Sequence, residues 1–336
     1  MKKFLNYSLP TLIAILCFDA AFAQVKKVEA IGFTVSDMNR SVRFYTEVLQ
    51  FHKISDIEVS GEQWEKLWGV FGIRMRIVRM QLGDEEIELV DYLTPGGRGV
   101  PEDFKSNDLS FQHIAIVVSD MDSAYSLLRK HNVQHVSTGP QTLPKSIPAA
   151  EGIRAFYFQD PDKHNLEIIF FPKGKGQDKW QQSDGGIFLG IDHTAIGVSN
   201  TNNSHRFYQT QLHLDRKGDS WNKGIEQEHL NNVRGASLHI TGYRTKEGPG
   251  VEFLEYLKPG PGKKYPTDTR SDDLWHWHTI VETGDAAKLF EQLRLSGARL
   301  YSQSPVIINL NGKQSYKAFI VSDPDGHAVM ICEHLH

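Results

Sequence analysis

Three histidines of this chain stand at the front of apolar runs, and three glutamates sit inside others. His113 opens "HIAIVV", His193 opens "HTAIGV" and His278 opens "HTIVET", while Glu88, Glu167 and Glu252 lie in "IELV", "LEII" and "VEFLEY". A strand sends alternate side chains to opposite faces, so His113 shares a face with Ala115 and Val117. Glu167 has apolar neighbours on both sides. Burying an unpaired carboxylate is costly, so such a group normally keeps a cation or a strong donor beside it. Imidazole and carboxylate together suit Fe, Ni, Co, Mn or Zn. Against this, a lone strand histidine is ordinarily a satisfied core or surface residue, and a lone strand glutamate ordinarily faces solvent. Recurrence of the same types at matching positions is what favours a metal.

The chain does repeat itself. "RFYTEVLQF" (Arg43 to Phe51) returns as "RFYQTQLHL" (Arg206 to Leu214), and "IELVDYLTPGG" returns as "VEFLEYLKPGP" at nearly the same offset. "FYFQDPDKHNLEIIFF" returns as "FIVSDPDGHAVMICEH", and "QHIAIVVSD" is matched by "WHTIVETGD". The reading is four modules, 24–96, 109–172, 188–260 and 274–336, with a linker over 173–187. Each begins with an apolar strand and continues into a helix capped by Asp, Ser or Asn, as at Asp37 or Ser199. Extended segments then lead to a closing strand. Met38, Val42, Tyr45 and Leu49 fall on one helical face. Turn-rich, charged stretches such as "TPGGRGVPEDFKSND" separate the modules. The class is α+β.

The motifs "IGFTVSDMNRSVRFYTEVLQF", "QHIAIVVSDM", "DPDKHNLEII", "IDHTAIGVSN" and "DPDGHAVMI" resemble the vicinal oxygen chelate superfamily, which includes glyoxalases, methylmalonyl-CoA epimerases, extradiol dioxygenases and bleomycin-resistance proteins. The resemblance covers nearly the whole chain after residue 23. It implies βαβββ modules paired into two half-open barrels, the glyoxalase/bleomycin resistance/dioxygenase fold. A divalent metal ion would sit in the hollow, held from the front of each first strand and the middle of each last strand. Carried onto this sequence, module two supplies His113 and Glu167, and module three supplies His193 and Glu252. Module four has His278 but Met330 in the acid's place; module one has Glu88 but Ala30 in the histidine's place.

Two pairings are open. If modules one and two pair, and three and four, as in extradiol dioxygenases, each site lacks one ligand: Glu88, His113 and Glu167 in one, His193, Glu252 and His278 in the other. If two pairs with three and one with four, as in fused, swapped glyoxalases, one barrel holds His113, Glu167, His193 and Glu252. Ala30, Glu88, His278 and Met330 then share a degenerate barrel. The second pairing is favoured, because a site that has lost one ligand is no longer held to keep the next. The Asp-Pro-Asp segments with His164 and His327 read as turns. His276, between Trp275 and Trp277, either lines a pocket or packs at the edge of the core.

The four-ligand set implies a lyase, isomerase or epimerase acting on a small substrate with vicinal oxygens through an enediolate-like intermediate. The metal would be the Lewis acid, and Glu167 or Glu252 the catalytic base. The alternative is an extradiol-type Fe(II) dioxygenase using His193, Glu252 and His278. A third reading is a non-catalytic small-ligand-binding protein. The partner expected is a small molecule; the chain would be a monomer or homodimer. With 40% apolar and 23% charged residues and a net charge of −4, the chain is globular, and it has no basic stripe for nucleic acid. Lys2 and Lys3, the apolar "LPTLIAILCF" and "AFA" before Gln24 read as a secretory signal peptide over 1–23, too short to span a bilayer. The expected location is periplasmic or secreted, with no membrane span after removal, and Cys332 the remaining cysteine.

Overall fold

The computed structural model describes residues 24–182, 185–310 and 314–335; the expected signal peptide lies outside the described residues. The strands form two nine-stranded sheets, each shared by two repeats. The leading strand Phe111–Val118 of repeat two lies antiparallel to Phe188–Gly197 of repeat three. Val25–Val35 of repeat one likewise lies against Trp277–Thr283 of repeat four. Of the two pairings left open by the sequence, the molecule adopts two with three and one with four.

In each repeat the closing strand runs parallel to its own leading strand: Glu85–Thr94, Asn165–Phe170, Gly250–Lys258 and Ala328–Leu335. A parallel neighbour demands a crossover, which here carries a helix. These helices start where a side chain can take up an orphan backbone N–H. Asp37, Asp120, Asn200 and Asp285 each accept from the N–H three residues on. The expected cap at Ser199 is therefore one residue early: Asn200 caps, and the Ser199 N–H goes to the Asp325 carboxylate. Met38, Tyr45 and Leu49 are buried on one helical face with Val42 packed beside them.

Alternation along the leading strands separates two environments. Ile114, Ile116 and Val118 join a large core beneath the helices with Phe33, Tyr45, Phe156 and Phe253. Ala115 and Val117 turn the other way, into the hollow of the curled sheet. The two sheets meet where Trp277, stacked on Phe33 of its own sheet at 4.6 Å, stacks on Phe111 of the other at 5.7 Å.

The Asp-Pro-Asp segments are turns. Asp160 accepts from the backbone N–H of Asp162 and His164 and from the His164 ring. Tyr45 donates to Asp160 at 3.2 Å, and Tyr208 to Asp323 at 3.4 Å, so each "RFY" helix docks on the turn of the following repeat. His164 and His327 are thus held within these turns. The segment read as a linker over 173–187 is anchored. Trp180 is buried and donates to Asp192 at 2.7 Å, and Lys179 pairs with the buried Glu85. Among the described residues, no helix is long and apolar enough to cross a membrane.

Candidate metal centre

One strand register recurs in all four repeats. Ala115 lies beside Glu167, Ala195 beside Glu252, Gly32 beside Glu88 and Ile280 beside Met330. Each first member follows His113, His193, Ala30 or His278 by two residues and so shares its face. The pairing of leading strands sets His113 opposite Ala195 and His193 opposite Ala115. Both imidazoles and both acids of repeats two and three therefore project into one hollow.

His113 Nε2 is 3.0 Å from Glu167 Oε2, and His193 Nε2 is 3.8 Å from the same oxygen and 3.4 Å from Glu252 Oε2. His113, Glu167 and His193 each offer a donor atom within 4.8 Å of the others. Glu252 stands at the edge of this trio and is the more exposed of the two acids. Neither Nε2 has a hydrogen-bond partner, though both are buried; the short approach to Glu167 is misaligned for one. Each ring is instead fixed through Nδ1 by the residue before it. His113 Nδ1 meets the Gln112 side-chain oxygen, and His193 Nδ1 meets Asp192 Oδ2 at 2.9 Å. Engaging Nδ1 in this way leaves Nε2 with a lone pair aimed inward, the arrangement that metal-ligating histidines adopt. Two orphaned imidazole nitrogens beside two carboxylates fit a divalent cation.

The charges around the site favour a positive charge there, a proton on His193 or a cation in its place. Burial opposes protonation of His193, but Glu252, Asp192 and Glu167 outweigh it and push the ring up to about 9. Burial raises the Glu252 carboxyl above its usual range, with the histidines pulling against it. Asp192 is held well below the carboxylate range: burial resists, and His193, Arg244 and Trp180 prevail. Arg244 reaches Asp192 Oδ2 at 2.6 Å.

The walls of this hollow are polar. Helix Ile225–Asn231 contributes Gln227 and Asn231, both buried, and Asn222 donates to Gln227 at 2.8 Å. Asn231 neighbours Tyr157 and Tyr256, and the Tyr157 ring lies 4.7 Å from that of His113. The Asn231 amide nitrogen, the Tyr256 hydroxyl and the Gln112 amide nitrogen are buried without a well-aligned hydrogen bond. Across the ladder from Glu252 stands Gly242, followed by Gly218. A Cβ on either would meet nothing within 4 Å, so the floor is open beside the acid.

The set His193, Glu252 and His278 is not brought together. His278 belongs to the other sheet, 3.6 Å from Glu88 and with its ring 5.0 Å from that of Trp68. Gly32 makes room for it; a Cβ there would lie 2.1 Å from the imidazole. Glu88, Ala30, His278 and Met330 line that second hollow, where Arg79 holds Glu88 at 2.9 Å. His276 packs beside His278, 6.1 Å from Trp68 between ring centres, and burial followed by the neighbouring His278 lowers it to about 3. Asp192, Gln112 and the carboxamides escape a search for donors alone. The signal for the first two is their place directly before a site histidine.

Comparison with known proteins gives the family and the fold. The family pattern described as the glyoxalase/bleomycin resistance protein/dioxygenase superfamily matches residues 27–168. A 2-epi-5-epi-valiolone epimerase from Actinomyces sp is 31% identical over 152 residues, 44% of this chain and 80% of that protein. The uncharacterized protein YwbC of Bacillus subtilis (strain 168) is 28% identical over 145 residues, 43% of this chain and 97% of its own length. Glyoxalase I from Zea mays superposes with a TM-score of 0.59 over 92% of each chain at 15% identity, a likeness of fold.

Proposed function

The chain belongs to the glyoxalase/bleomycin resistance protein/dioxygenase superfamily, and from that premise we propose that the barrel of repeats two and three is the site of a divalent-metal-dependent epimerase or isomerase. Lyase chemistry begins with the same proton abstraction. The substrate is a small, hydroxylated carbonyl compound. The observation that carries this reading is the pair of orphaned Nε2 atoms, on His113 and His193, flanking the Glu167 carboxylate.

His113, His193, Glu167 and Glu252 would hold the ion, which supplies Lewis acidity to two neighbouring substrate oxygens. Glu252 is the base. It sits at the rim of the donor set, beside the open floor at Gly242, and its raised pKa makes it a better proton acceptor than an ordinary glutamate. Glu252 takes the proton from the carbon beside the carbonyl, and a proton delivered to the other face by Glu167 or by solvent inverts that carbon. Asn231, Tyr256 and Gln112 offer polar groups to substrate hydroxyls, which argues for a polar substrate. The Actinomyces relative, an epimerase by name, supports the same class.

One test is proton exchange followed by NMR: protein loaded with Co2+, Ni2+, Mn2+ or Zn2+ is incubated in D2O with polyhydroxylated ketones. Deuterium should enter at the carbon beside the carbonyl, and Glu252→Gln should stop it. A set of such ketones with no exchange under any of these ions would refute the reading.

A second reading has a specific observation behind it. His113, His193 and Glu167 alone make two imidazoles and one carboxylate, the donor set of Fe(II) oxygenases. Glu252 separates the two, because a fourth protein donor leaves too few positions for both a catecholate and oxygen. Oxygen uptake by the Fe(II)-loaded protein with catechol would favour this second reading over the first.

A further inference from the structure

The barrel of repeats one and four encloses a cavity of about 740 Å3, with Arg79, Glu88, Ile57 and Trp64 in its wall. At its rim lie a carboxylate, a thiol and an imidazole. We propose that Glu29, Cys332 and His334 form a second site for a zinc-class divalent ion, separate from the centre between repeats two and three.

Cys332 and His334 are alternate residues of the closing strand Ala328–Leu335, so they share a face with Met330, and all three line the cavity. Glu29 arrives from the leading strand of repeat one, two strands away. It occupies a break in register between Val28 and Ala30, and such bulges re-aim a side chain. His334 Nε2 lies 2.5 Å from Glu29 Oε1, and Cys332 Sγ lies 3.5 Å from Glu29 Oε2. The three donor atoms are within 4.8 Å of one another. The imidazole is directed at the carboxylate, and the thiol lies between that carboxylate and the Val281 carbonyl, 3.3 Å away; a divalent ion can replace the bridging hydrogens with bonds to the same three side-chain atoms.

The chemistry balances without electron transfer. The ion enters, the Cys332 thiol loses its proton to solvent, and thiolate, imidazole and carboxylate each donate a pair. One thiolate and one carboxylate neutralise the two positive charges. Arg79 does not compete for the position, because Glu88 and Glu86 hold its guanidinium at 2.9 and 3.2 Å. Sulfur, nitrogen and oxygen donors at one point suit zinc-class ions. The remaining position faces the cavity, whose opening gives the ion a route in.

Among the described residues, the other barrel has no equivalent group of donors. The positions two and four residues after its acids are Ile169 and Phe171 in repeat two, and Leu254 and Tyr256 in repeat three. Asp192, at the bulge that matches Glu29, is taken up by His193, Arg244 and Trp180. Donors at this level therefore belong to the barrel that lacks the His113-type set.

Cobalt(II) tests the proposal with a signature the centre between repeats two and three cannot give, in a chain whose other cysteine, Cys17, is replaced by serine. Cys332 is the free cysteine among the described residues, and the centre between repeats two and three contains no sulfur. Titrating the metal-free full chain with Co2+ should produce sulfur-to-cobalt charge-transfer absorption in the near ultraviolet, with two ions bound per chain at saturation. Cys332→Ser should remove the band and one ion. His113→Ala should remove the other ion and keep the band. Because a core substitution can disturb folding, His334→Ala, at a half-exposed residue, and Glu29→Gln provide further checks. Each should weaken the binding that gives the band by at least about tenfold, the scale of an altered ligand environment. Absence of the band in folded protein overturns the site, as does a band unaltered by Cys332→Ser. A band that survives both His334→Ala and Glu29→Gln at full affinity also overturns it.

Discussion

Opposite Glu88 across the ladder stands Arg79; opposite Glu252, at the same register of the other barrel, stands Gly242. Both acids point into the hollows of curled sheets built on one plan, yet their charges are met differently. In the first barrel burial pushes Glu88 up, but Arg79 and then His278 overcome it and bring it down to about 2. In the second, nothing on the ladder compensates Glu252, and burial leaves it raised. The rest of each hollow follows suit. Trp64 and Trp68 occupy the helix positions that Gln227 and Asn231 occupy in the other barrel, with Ile280 and Met330 completing the apolar set. One barrel carries a fixed internal cation in a largely apolar lining at the level of its acid. The other presents imidazoles and carboxylates that fit a divalent cation, with polar walls and an open floor beside them. A single fold thus gives its two hollows different linings through a handful of inward positions, with no change of backbone plan.

The comparison breaks most easily at the donors. His113→Ala should eliminate the ion between repeats two and three by elemental analysis and lower substrate proton exchange on the order of 10²–10³-fold or more, the cost of losing a preorganised electrostatic group. His278→Ala, in the other barrel, should leave that exchange rate as it was. Next in size is the internal cation. Arg79→Met strands Glu88 in the interior and should destabilise the protein by about 3–5 kcal/mol in denaturant unfolding, while Arg79→Met with Glu88→Gln recovers most of the loss. An equal penalty in single and double variants would mean that packing, and not charge, is what Arg79 provides.

Smaller effects sharpen the picture. Asp192→Asn keeps the shape but weakens the grip on His193 Nδ1, and should lower ion affinity about 10–100-fold by competition with a chelator. The pH dependence follows from His193. Its folded value of about 9 lies above the ordinary 6.5, so in metal-free protein its contribution to stability is full below 6.5 and is lost as pH rises through 9. An incoming ion must displace that proton. Ion affinity should therefore increase with pH up to about 9, and the unfolding midpoint of metal-free protein should fall between 6.5 and 9 more than that of loaded protein.

Much of this was legible in the sequence, because repeats expose position. The offset that aligned "RFYTEVLQF" with "RFYQTQLHL" also carried His113, His193, Glu167 and Glu252 to matching places, and the register of the sheets sets these four around one hollow. Clustering of the gaps at Ala30 and Met330 favoured the pairing the sheets adopt. What escaped was whatever depends on neighbours across the ladder. Arg79 and Gly242 decide the character of their barrels, but nothing local marks them until strand pairing is known. The Glu29 bulge is invisible for the same reason. Trp180 reads as linker because its partner, Asp192, lies 12 residues on, in the strand that follows.

The central claim is that repeats two and three build the cation site and that Glu88 does not. Anomalous diffraction from crystals grown with excess Co2+ or Zn2+ tests it most directly. The account predicts a peak roughly 2.0–2.2 Å from His113 Nε2, His193 Nε2 and a Glu167 oxygen, and none in contact with Glu88 or His278. An empty hollow between repeats two and three under saturating metal, or an ion bound to Glu88 in its place, would contradict it.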